Sequence, residues 1–246
     1  MKGIILAGGM AKRLFPLTTV VNKHLLPVYD KPMIYYPLET LKSADITDIM
    51  IITGTYHAGE IFNHFGSGKN FGVKFTYRVQ DEAGGIPQAI SLAEDFVGND
   101  KFVSINGDNI LTRPIKKFVE EFEKGKEEAR ILLYKGTLEQ AKKSGIAVLK
   151  GDKVVELVEK PQNPPSTMIS IGVYMYTPDV FDVIRPLRPS ARGETEITHV
   201  NTHYLKKGTL KASVIEGDWL DAGTIDELWE ANAKIKELKE NDKTSR

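Results

Sequence analysis

Residues 1–18 read MKGIILAGGMAKRLFPLT, a short apolar run followed by two glycines and two cations. The apolar run from Ile4 to Ala7 is typical of a buried strand, and Gly8 and Gly9 end it. The cations Lys12 and Arg13 follow within four residues. Free backbone N–H groups and cations beyond a strand end suit an anion, which indicates a phosphate-binding loop. The alternative is an ordinary tight turn with solvated cations, since neither G-x-G-x-x-G nor a Walker P-loop fits here.

Outward from this loop, residues 1–135 alternate apolar strand-like runs with helix-like segments. Strands are predicted at Gly3–Ala7, Ile46–Thr53, Val73–Val79, Lys101–Asn106 and Ala129–Lys135. Helices are predicted near Pro32–Ala44, Ala58–Phe65, Ile86–Asp95 and Pro114–Lys124. This alternation predicts βαβ units in an α/β fold with a largely parallel central sheet. Ligands of such sheets bind where the strands end, at their carboxyl edge.

After residue 140, short strand-like runs lie close together. Strands are predicted at Ile146–Leu149, Val154–Val158, Ile169–Tyr176 and Thr209–Ile215, with a helix near Ile197–Lys206. The pattern predicts a smaller, partly antiparallel lobe packed on the first part. No Ser/Gly-rich linker separates the two parts, so we predict one domain over residues 1–240 and a polar tail at 241–246.

Composition excludes several classes of protein. The chain has 246 residues, equal numbers of basic and acidic side chains (33 of each), and no cysteine. Zero net charge argues against non-specific binding to nucleic acid or membranes, and no apolar run is long enough to span a bilayer. Without cysteine there is no disulfide, no thiolate zinc site and no thiol catalysis. We expect a soluble cytoplasmic protein.

Two aspartates in separate loops are candidate metal ligands. Asp108, in SINGDNI, comes just after a predicted buried strand, and Asp221, in DWLDAGT, precedes a small-residue turn. Mg²⁺ prefers one or two carboxylates completed by substrate phosphates, so two acids meeting at one ion would form a plausible site. The alternative for Asp108 is a turn-forming Gly-Asp-Asn sequence.

Other charged residues are weaker signals when taken one at a time. Lys23, in VNKHLLPVYD, is either a surface charge or a compact cation for a phosphate. Glu159 and Lys160 lie in VEKPQNPP, and Arg192 lies in SARGETEIT. Charged loops of this kind are usually only solvated.

Taken together, these motifs resemble the sugar nucleotidyltransferase family, most closely its branch that uses dTTP and glucose 1-phosphate. The family's L-A-G-G-x-G-T-R-L-x-P-x-T is LAGGMAKRLFPLT here, and K-[QH]-L-L-P-V-Y-D-K-P-M-I-Y-Y-P-L is KHLLPVYDKPMIYYPL. YRVQDEAGGIPQAI, NGDNI, GIAVL, EKPQ, IGVYMY, SARGETEIT and WLDAGT follow in the family's order, over nearly residues 1 to 230. The resemblance implies a Rossmann-like three-layer α/β/α fold with a mixed, mostly parallel central sheet and a smaller partly antiparallel lobe.

The resemblance also implies an activity and a set of site residues. The reaction would transfer dTMP from dTTP to glucose 1-phosphate with Mg²⁺, in a homo-oligomer that is a tetramer by resemblance. The part near 1–135 would bind the nucleotide, and the part near 136–225 the sugar phosphate. Catalytic roles fall on Arg13, Lys23 and Asp108, with Asp108 and Asp221 as the metal ligands. The nucleotide would contact Leu6, Gly8, Gly9, Ala11, Lys12, Gln80 and Gly85. The sugar phosphate would contact Asn109, Gly145, Glu159, Lys160, Tyr174 and Arg192.

The chain departs from the family pattern at Ala11 and Lys12, which replace Gly-Thr, and at Thr195, which replaces leucine in RGELEIT. If the loop needs a positive φ at position 11, alanine would be strained there by on the order of 1 kcal/mol. Three alternatives stay open, and the departure at Ala11 and Lys12 supports the last of them. They are the same transfer with another nucleoside triphosphate, the same transfer with another sugar 1-phosphate, and a non-catalytic regulatory paralogue that binds a nucleotide sugar.

Overall fold

The computed structural model describes residues 1–9, 11–191 and 193–244, and strands alternate with helices along the first half of the chain. The strands are β1 (Lys2–Ala7), β2 (Pro27–Val28), β3 (Lys31–Pro32), β4 (Asp48–Gly54), β5 (Lys74–Gln80), β6 (Phe102–Asn106), β7 (Asn109–Leu111), β8 (Ala129–Lys135), β9 (Gly145–Lys150), β10 (Lys153–Glu159), β11 (Met168–Tyr176), β12 (Leu210–Val214) and β13 (Trp219–Asp221). The helices are α1 (Tyr35–Ser43), α2 (Ala58–Phe65), α3 (Ile86–Ser91), α4 (Glu94–Val97), α5 (Lys116–Lys124), α6 (Leu138–Lys143), α7 (Val180–Ile184), α8 (Ile197–Lys207) and α9 (Ile225–Thr244).

A mixed sheet of nine strands runs through the described part of the chain. Its main path is β10-β9-β11-β6-β1-β4-β5, and β8 and β12 extend it beside β11. Strands β6, β1, β4 and β5 are mutually parallel. Strands β11 and β10 run against the others, because their pairings with β6, β8 and β9 are antiparallel. The predicted mixed, mostly parallel sheet is confirmed, and the strands of the predicted second lobe extend this same sheet.

Different helices cover the two faces of the sheet. Along β1, Ile4 and Leu6 pack into one apolar cluster and Ile5 and Ala7 into another, because successive side chains of a strand point to opposite faces. Helices α1, α2 and α5 contribute to the cluster of Ile5, while α3, α4, α7 and α8 contribute to the cluster of Ile4. The three-layer α/β/α architecture is therefore confirmed.

A third apolar cluster places α9 beside the carboxyl edge of the sheet. Leu228, Ala231 and Ile235 of α9 pack with Leu14 and Val28, which belong to the loop after β1 and to the β2–β3 hairpin. The backbone N–H of residue 227 donates to Thr224 Oγ1 at 3.2 Å and caps the start of the helix. The helix continues to Thr244, into the segment predicted as a polar tail.

Several elements differ from the prediction. The helix predicted at Ile86–Asp95 is divided into α3 and α4, and the helix predicted from Pro32 begins at Tyr35, after a two-residue strand. The three-residue strands β7 and β13 were not predicted, because such short strands carry no periodicity of their own. No helix in the described residues combines the length and the apolar character needed to cross a membrane.

Candidate active site

The carboxyl ends of the four parallel strands meet at one edge of the sheet, and the glycines after β1 lie there. Gln80, the last residue of β5, is buried, and a Cβ atom added to Gly8 would stand 2.3 Å from its Oε1. A Cβ atom on Gly54, which ends β4, would come within 3.6 Å of the Gly9 backbone nitrogen. A side chain at position 8 would have to displace the Gln80 amide, and glycine leaves bare backbone beside that amide.

The next residues of the loop are held in a left-handed turn. Ala11 has φ 47° and ψ 32°, the region that favours glycine. Its carbonyl accepts hydrogen bonds from Leu14 N at 3.0 Å and from Thr18 Oγ1 at 3.1 Å. The condition stated for position 11, a positive φ, is therefore met in the structure, and the alanine is strained there. Lys12, which follows it, is exposed.

The two candidate metal ligands are brought together by the pairing of β7 with β13. Asp221 lies opposite Asn109 in this antiparallel pair, and Ala222 N donates to the carbonyl oxygen of Asp108 at 3.2 Å. The two aspartates therefore occupy neighbouring backbone positions, although more than a hundred residues of sequence separate them. The two segments therefore converge, while the joint role of the two aspartates as metal ligands stays a prediction.

The two carboxylates have opposite electrostatic environments. Asp108 Oδ2 accepts from Lys23 Nζ at 2.6 Å, and Oδ1 accepts from Asn109 Nδ2 at 3.1 Å. Burial acts to raise the pKa of Asp108, but the Lys23 ammonium outweighs it and holds that pKa well below its usual range. Burial and the charge of Asp108 raise the pKa of Asp221 to about 7, against the opposing effect of Lys23. Asp221 Oδ1 is buried and has no hydrogen-bond donor among the described residues.

These residues fit a divalent cation. A buried carboxylate oxygen without a donor, beside a second carboxylate, is the type of donor set that Mg²⁺ takes in proteins. Within the described residues no group of three or more His, Cys, Asp or Glu side chains could hold a metal ion. Substrate phosphates and water would therefore have to complete the coordination shell of an ion held by Asp108 and Asp221.

The side chain of Asn109 links Asp108 to two other parts of the chain by hydrogen bonds. Its Oδ1 accepts from Gly172 N at 2.9 Å and from the indole Nε1 of Trp219 at 2.8 Å, while its Nδ2 donates to Asp108. The residue is 2% exposed, so its amide is oriented by protein groups on both sides. A direct contact with substrate, as the sequence predicts, stays a prediction.

The candidate sugar-binding residues meet on β9, β10 and β11. Gly145 and Glu159 lie directly opposite each other in the β9–β10 pair, and the carboxylate of Glu159 accepts a hydrogen bond from Thr198 Oγ1. Lys160 has φ 43°, and its Nζ lies 3.7 Å from Glu159 Oε1. Burial raises the pKa of Tyr174 well above its usual range, so its hydroxyl stays protonated and can donate.

One cavity of about 960 Å³ joins the acid pair to the sugar-binding residues. Eight predicted site residues line it: Arg13, Asp108, Asn109, Gly145, Glu159, Lys160, Tyr174 and Asp221. Four others line a second pocket of about 330 Å³ across the loop after β1: Gly9, Ala11, Lys12 and Lys23. Lys23 therefore stands between the two pockets, because its ammonium reaches Asp108.

Five predicted site residues are not among the described residues that line these pockets. Two of them, Gly8 and Gln80, lie beside each other at the ends of β1 and β5. The Leu6 side chain packs in the core, and its carbonyl accepts from Gly107 N at 2.8 Å. Gly85, at φ 98°, packs so closely on another segment that a Cβ atom would stand 2.2 Å from the carbonyl oxygen of Thr195. Arg192 lies outside the described residues.

Sequence reasoning missed the residues that hold the site residues in place. Trp219 and Thr198 were not singled out. Trp219 lies near Asp221 in the motif WLDAGT and donates to Asn109. Thr198 ends the motif SARGETEIT and donates to Glu159. His24, next to Lys23, is 2% exposed, and a Cβ atom on Gly107 would stand 2.6 Å from its ring. Burial, then the charge of Lys23, lowers the pKa of His24 to about 3, so the ring is neutral at pH 7.

The fold and the cavity define a nucleotide-binding transferase, with a glycine-lined strand edge, a carboxylate pair and a polar sugar-sized space. The family model described as Nucleotidyl transferase matches residues 2–238, and the chain belongs to this family. It is a nucleotidyltransferase of the sugar-nucleotide type, whose family substrates are a nucleoside triphosphate and a sugar 1-phosphate.

Relatives and solved structures agree with this assignment. The low-salt glycan biosynthesis nucleotidyltransferase Agl11 of Haloferax volcanii is 42% identical, covering 97% of this chain and 67% of its own length. The glucose-1-phosphate thymidylyltransferase of Mycolicibacterium smegmatis is 41% identical, covering 97% of this chain and 83% of its own. A crystal structure from Bacillus anthracis, assigned as a glucose-1-phosphate thymidylyltransferase and solved with sucrose, is 53% identical with a TM-score of 0.90, covering 95% and 94% of the two chains.

Proposed function

We propose that the protein transfers dTMP from dTTP to α-D-glucose 1-phosphate, releasing pyrophosphate and forming dTDP-glucose for nucleotide-sugar synthesis of the dTDP-rhamnose type. The observation that carries the proposal is the meeting of Asp108 and Asp221 beside Lys23, in the same cavity as Gly145 and Glu159. This arrangement suits phosphoryl chemistry at one end of the cavity and sugar recognition at the other. Relatives named for this activity support the choice of substrates.

In this reaction a phosphate oxygen of glucose 1-phosphate attacks the α-phosphorus of dTTP in line. The new oxygen–phosphorus bond forms as the bond from the α-phosphorus to the bridging oxygen breaks, and pyrophosphate leaves with that oxygen. The protein's contribution is alignment and charge neutralisation. Glu159 would accept from sugar hydroxyls, and its partner Thr198 keeps the carboxylate oriented. Gln80 beside Gly8 would pair with the base.

Two cations of this chain would neutralise the phosphates. Lys23, which donates to Asp108, would contact the α-phosphate. The exposed guanidinium of Arg13 would bind the leaving pyrophosphate. A Cβ atom on Gly223 would stand 3.0 Å from Arg13 Nη2 and 3.3 Å from Asp221 Oδ1, so this cation borders the acid pair. Mg²⁺, held by Asp108 and Asp221, would supply Lewis-acid polarisation of the phosphate oxygens when bound.

The direct test is a steady-state assay of pyrophosphate release with dTTP, Mg²⁺ and glucose 1-phosphate. We expect turnover that disappears when either substrate or Mg²⁺ is left out. A thermal-shift panel with dTTP, UTP, CTP and GTP then tests base choice, and dTTP should give the largest stabilisation. Turnover only with another triphosphate or another sugar phosphate would replace the proposed substrates while keeping the reaction class.

A non-catalytic role in nucleotide-sugar binding is the second candidate, and one observation favours it. Ala11 occupies a left-handed conformation where the family motif has glycine, so the phosphate loop carries strain of on the order of 1 kcal/mol. The discriminating experiment compares the native chain with the double variant Ala11→Gly and Lys12→Thr. Ligand-induced stabilisation without turnover, together with activity in the double variant, would establish the binding role and reject the native enzyme.

A further inference from the structure

Two segments that are far apart in sequence meet at Gly84 and Thr195. The turn after β5 carries Gly84, and residues 193–196 lead into α8. The carbonyl oxygen of Gly84 accepts two hydrogen bonds from one residue, from Thr195 N at 2.9 Å and from Thr195 Oγ1 at 2.7 Å. Gly85 closes the contact, because a Cβ atom there would stand 2.2 Å from the Thr195 carbonyl oxygen. The two segments are therefore in close contact, and both hydrogen bonds run from Thr195 to the Gly84 carbonyl.

The same junction leads to the candidate sugar carboxylate. Glu196 follows Thr195 and is the N-cap residue of α8, and Thr198 lies in the first turn of that helix. Thr198 Oγ1 donates to Glu159 Oε2. A Cβ atom on Gly145 would stand 3.1 Å from Thr198 Oγ1 and 3.2 Å from Glu159 Oε2, so these groups are packed together. A displacement of the first turn of α8 would move both Glu159 and Thr195.

The hydroxyl of Thr195 is a feature of this chain's own sequence. The family motif that the segment resembles has leucine at this position, and leucine would keep the backbone bond to Gly84 but not the side-chain bond. Thr195 also lines the 960 Å³ cavity, beside Ile86 and Glu196. The side-chain bond adds to the junction without closing the cavity.

We propose that Thr195 is a positioning residue that couples the nucleotide-reading turn 80–85 to the sugar carboxylate Glu159. The inference rests on the proposed function, since it assigns the two ends of the junction to the two substrates. A sugar phosphate bound at Glu159 would act through Thr198 on the first turn of α8, and Thr195 connects that turn through Gly84 to the turn that follows Gln80. Each substrate would therefore hold the junction in the geometry in which the other binds, so each strengthens binding of the other.

The test measures this coupling directly. Isothermal titration calorimetry gives the affinity for glucose 1-phosphate with Mg²⁺, first alone and then with a saturating non-cleavable α,β-methylene analogue of dTTP. Thr195→Val keeps the shape and the backbone bond but removes the hydroxyl, and Thr195→Ser keeps the hydroxyl. Thr202→Val is the matched control, because it removes a hydroxyl from α8, the helix that Thr195 precedes, where Thr202 Oγ1 donates to Thr198 O at 2.7 Å.

We expect the analogue to tighten glucose 1-phosphate binding by about threefold to tenfold in the native protein, the range that one hydrogen bond can supply. The gain should disappear in Thr195→Val and persist in Thr195→Ser and Thr202→Val. In the steady state, Thr195→Val should raise KM for both substrates and leave kcat within about twofold, with the melting temperature unchanged.

Three results would overturn the inference. They are an uncoupled native protein, an unchanged coupling in Thr195→Val, and an equal loss in Thr202→Val that accompanies a lower melting temperature. Failure of the proposed function is distinguishable from these, because it would be seen in the native protein as the absence of binding of one substrate and of turnover.

Discussion

The two regions that contribute the carboxylate pair hold their aspartates differently. Asp108 follows β6, at the end of the parallel part of the sheet, and both of its oxygens already have donors, Lys23 and Asn109. Asp221 ends β13, a three-residue strand beside α9, and its Oδ1 is buried without a donor among the described residues. One region thus presents a carboxylate that the protein has satisfied, and the other presents one that it has not.

The difference indicates where the site gives up stability for function. A satisfied carboxylate beside a lysine stabilises the fold, whereas a buried carboxylate oxygen without a partner costs about 1–3 kcal/mol. We expect such a cost to persist only where the group serves a function, and binding of a divalent cation would be such a function.

For catalysis the two aspartates should be equally important. Asp108→Asn and Asp221→Asn keep the side-chain shape and remove the charge, so we expect each to reduce kcat/KM by roughly 10³-fold. The measurement is pyrophosphate release at saturating Mg²⁺. Asp218→Asn, three residues before Asp221 on the same segment, is the control and should stay within about twofold of the native rate. If either variant kept more than a tenth of the native activity, the shared-ion site would be wrong.

For stability the same two substitutions should act in opposite directions in metal-free protein at pH 8. Asp108→Asn leaves the part-buried Lys23 without its counter-ion and should destabilise by about 2 kcal/mol. Asp221→Asn removes a carboxylate that burial penalises and should stabilise by about 1 kcal/mol. Thermal unfolding in EDTA checks both, with shifts of about 2–4 °C per kcal/mol for a chain of this size. Shifts of the same sign would contradict the contrast between the two carboxylates.

The pH dependence of these effects follows from the pKa directions. The pKa of Asp221 is raised from 3.8 to about 7, so the folded metal-free protein loses stability as pH rises from about 4 to about 7. The pKa of Asp108 is lowered, so its stabilisation is full above its unfolded pKa and is lost only as pH falls through the lower, folded one. Mg²⁺ binding competes with the Asp221 proton, and apparent Mg²⁺ affinity should rise with pH and level off above about 7.

Calorimetric Mg²⁺ titrations at pH 6, 7 and 8 measure this dependence, with a limiting slope of about tenfold per pH unit well below pH 7. Titrations of the Asp221→Asn variant provide the control, because removal of the titrating carboxyl should flatten the profile. An equally steep profile in that variant would assign the proton to another group.

The hydrogen bond from Trp219 to Asn109 joins the two regions, and its loss should have a smaller effect than the changes at the aspartates. Trp219→Phe keeps the aromatic packing and removes the indole donor to Asn109, which orients Asp108. We expect the Mg²⁺ concentration for half-maximal rate to rise about threefold to tenfold, with the melting temperature within a few degrees of the native value. Trp229→Phe is the matched control, since Trp229 is 71% exposed on α9. If both tryptophan variants needed the same Mg²⁺ concentration for half-maximal rate, the role of Trp219 in orienting Asp108 would be wrong.

Much of the fold follows from local sequence. The prediction of Ala129–Lys135 as a strand and of Ala58–Phe65 as a helix is confirmed residue for residue, because apolar spacing and flanking turn residues carry this information locally. The division of the helix predicted at Ile86–Asp95 could not be read this way. Residues 92 and 93 are Leu and Ala, which are good helix formers, yet they lie between α3 and α4 and pack against the apolar cluster of Ile4.

The candidate site could be predicted only as a set of separate motifs. The resemblance assigned the residues, and the structure brings eight of them into one cavity. It also shows what holds them in place. The Trp219 indole reaches Asn109 across 110 positions, and Thr195 reaches Gly84 across 111. Neither contact leaves a signal in a single sequence, because the partners share no local pattern.

The sequence alone was enough to predict the alternation of strands and helices, the glycine-lined end of β1, and candidate residues for phosphate, sugar and metal. These properties depend on spacing along the chain and on the chemistry of single side chains. The tertiary structure decided that β7 and β13 pair and bring Asp108 to Asp221, that one of these carboxylates is satisfied and the other is not, and that Ala11 adopts a left-handed conformation. Those outcomes depend on burial and on contacts between distant segments, which exist only once the chain has folded.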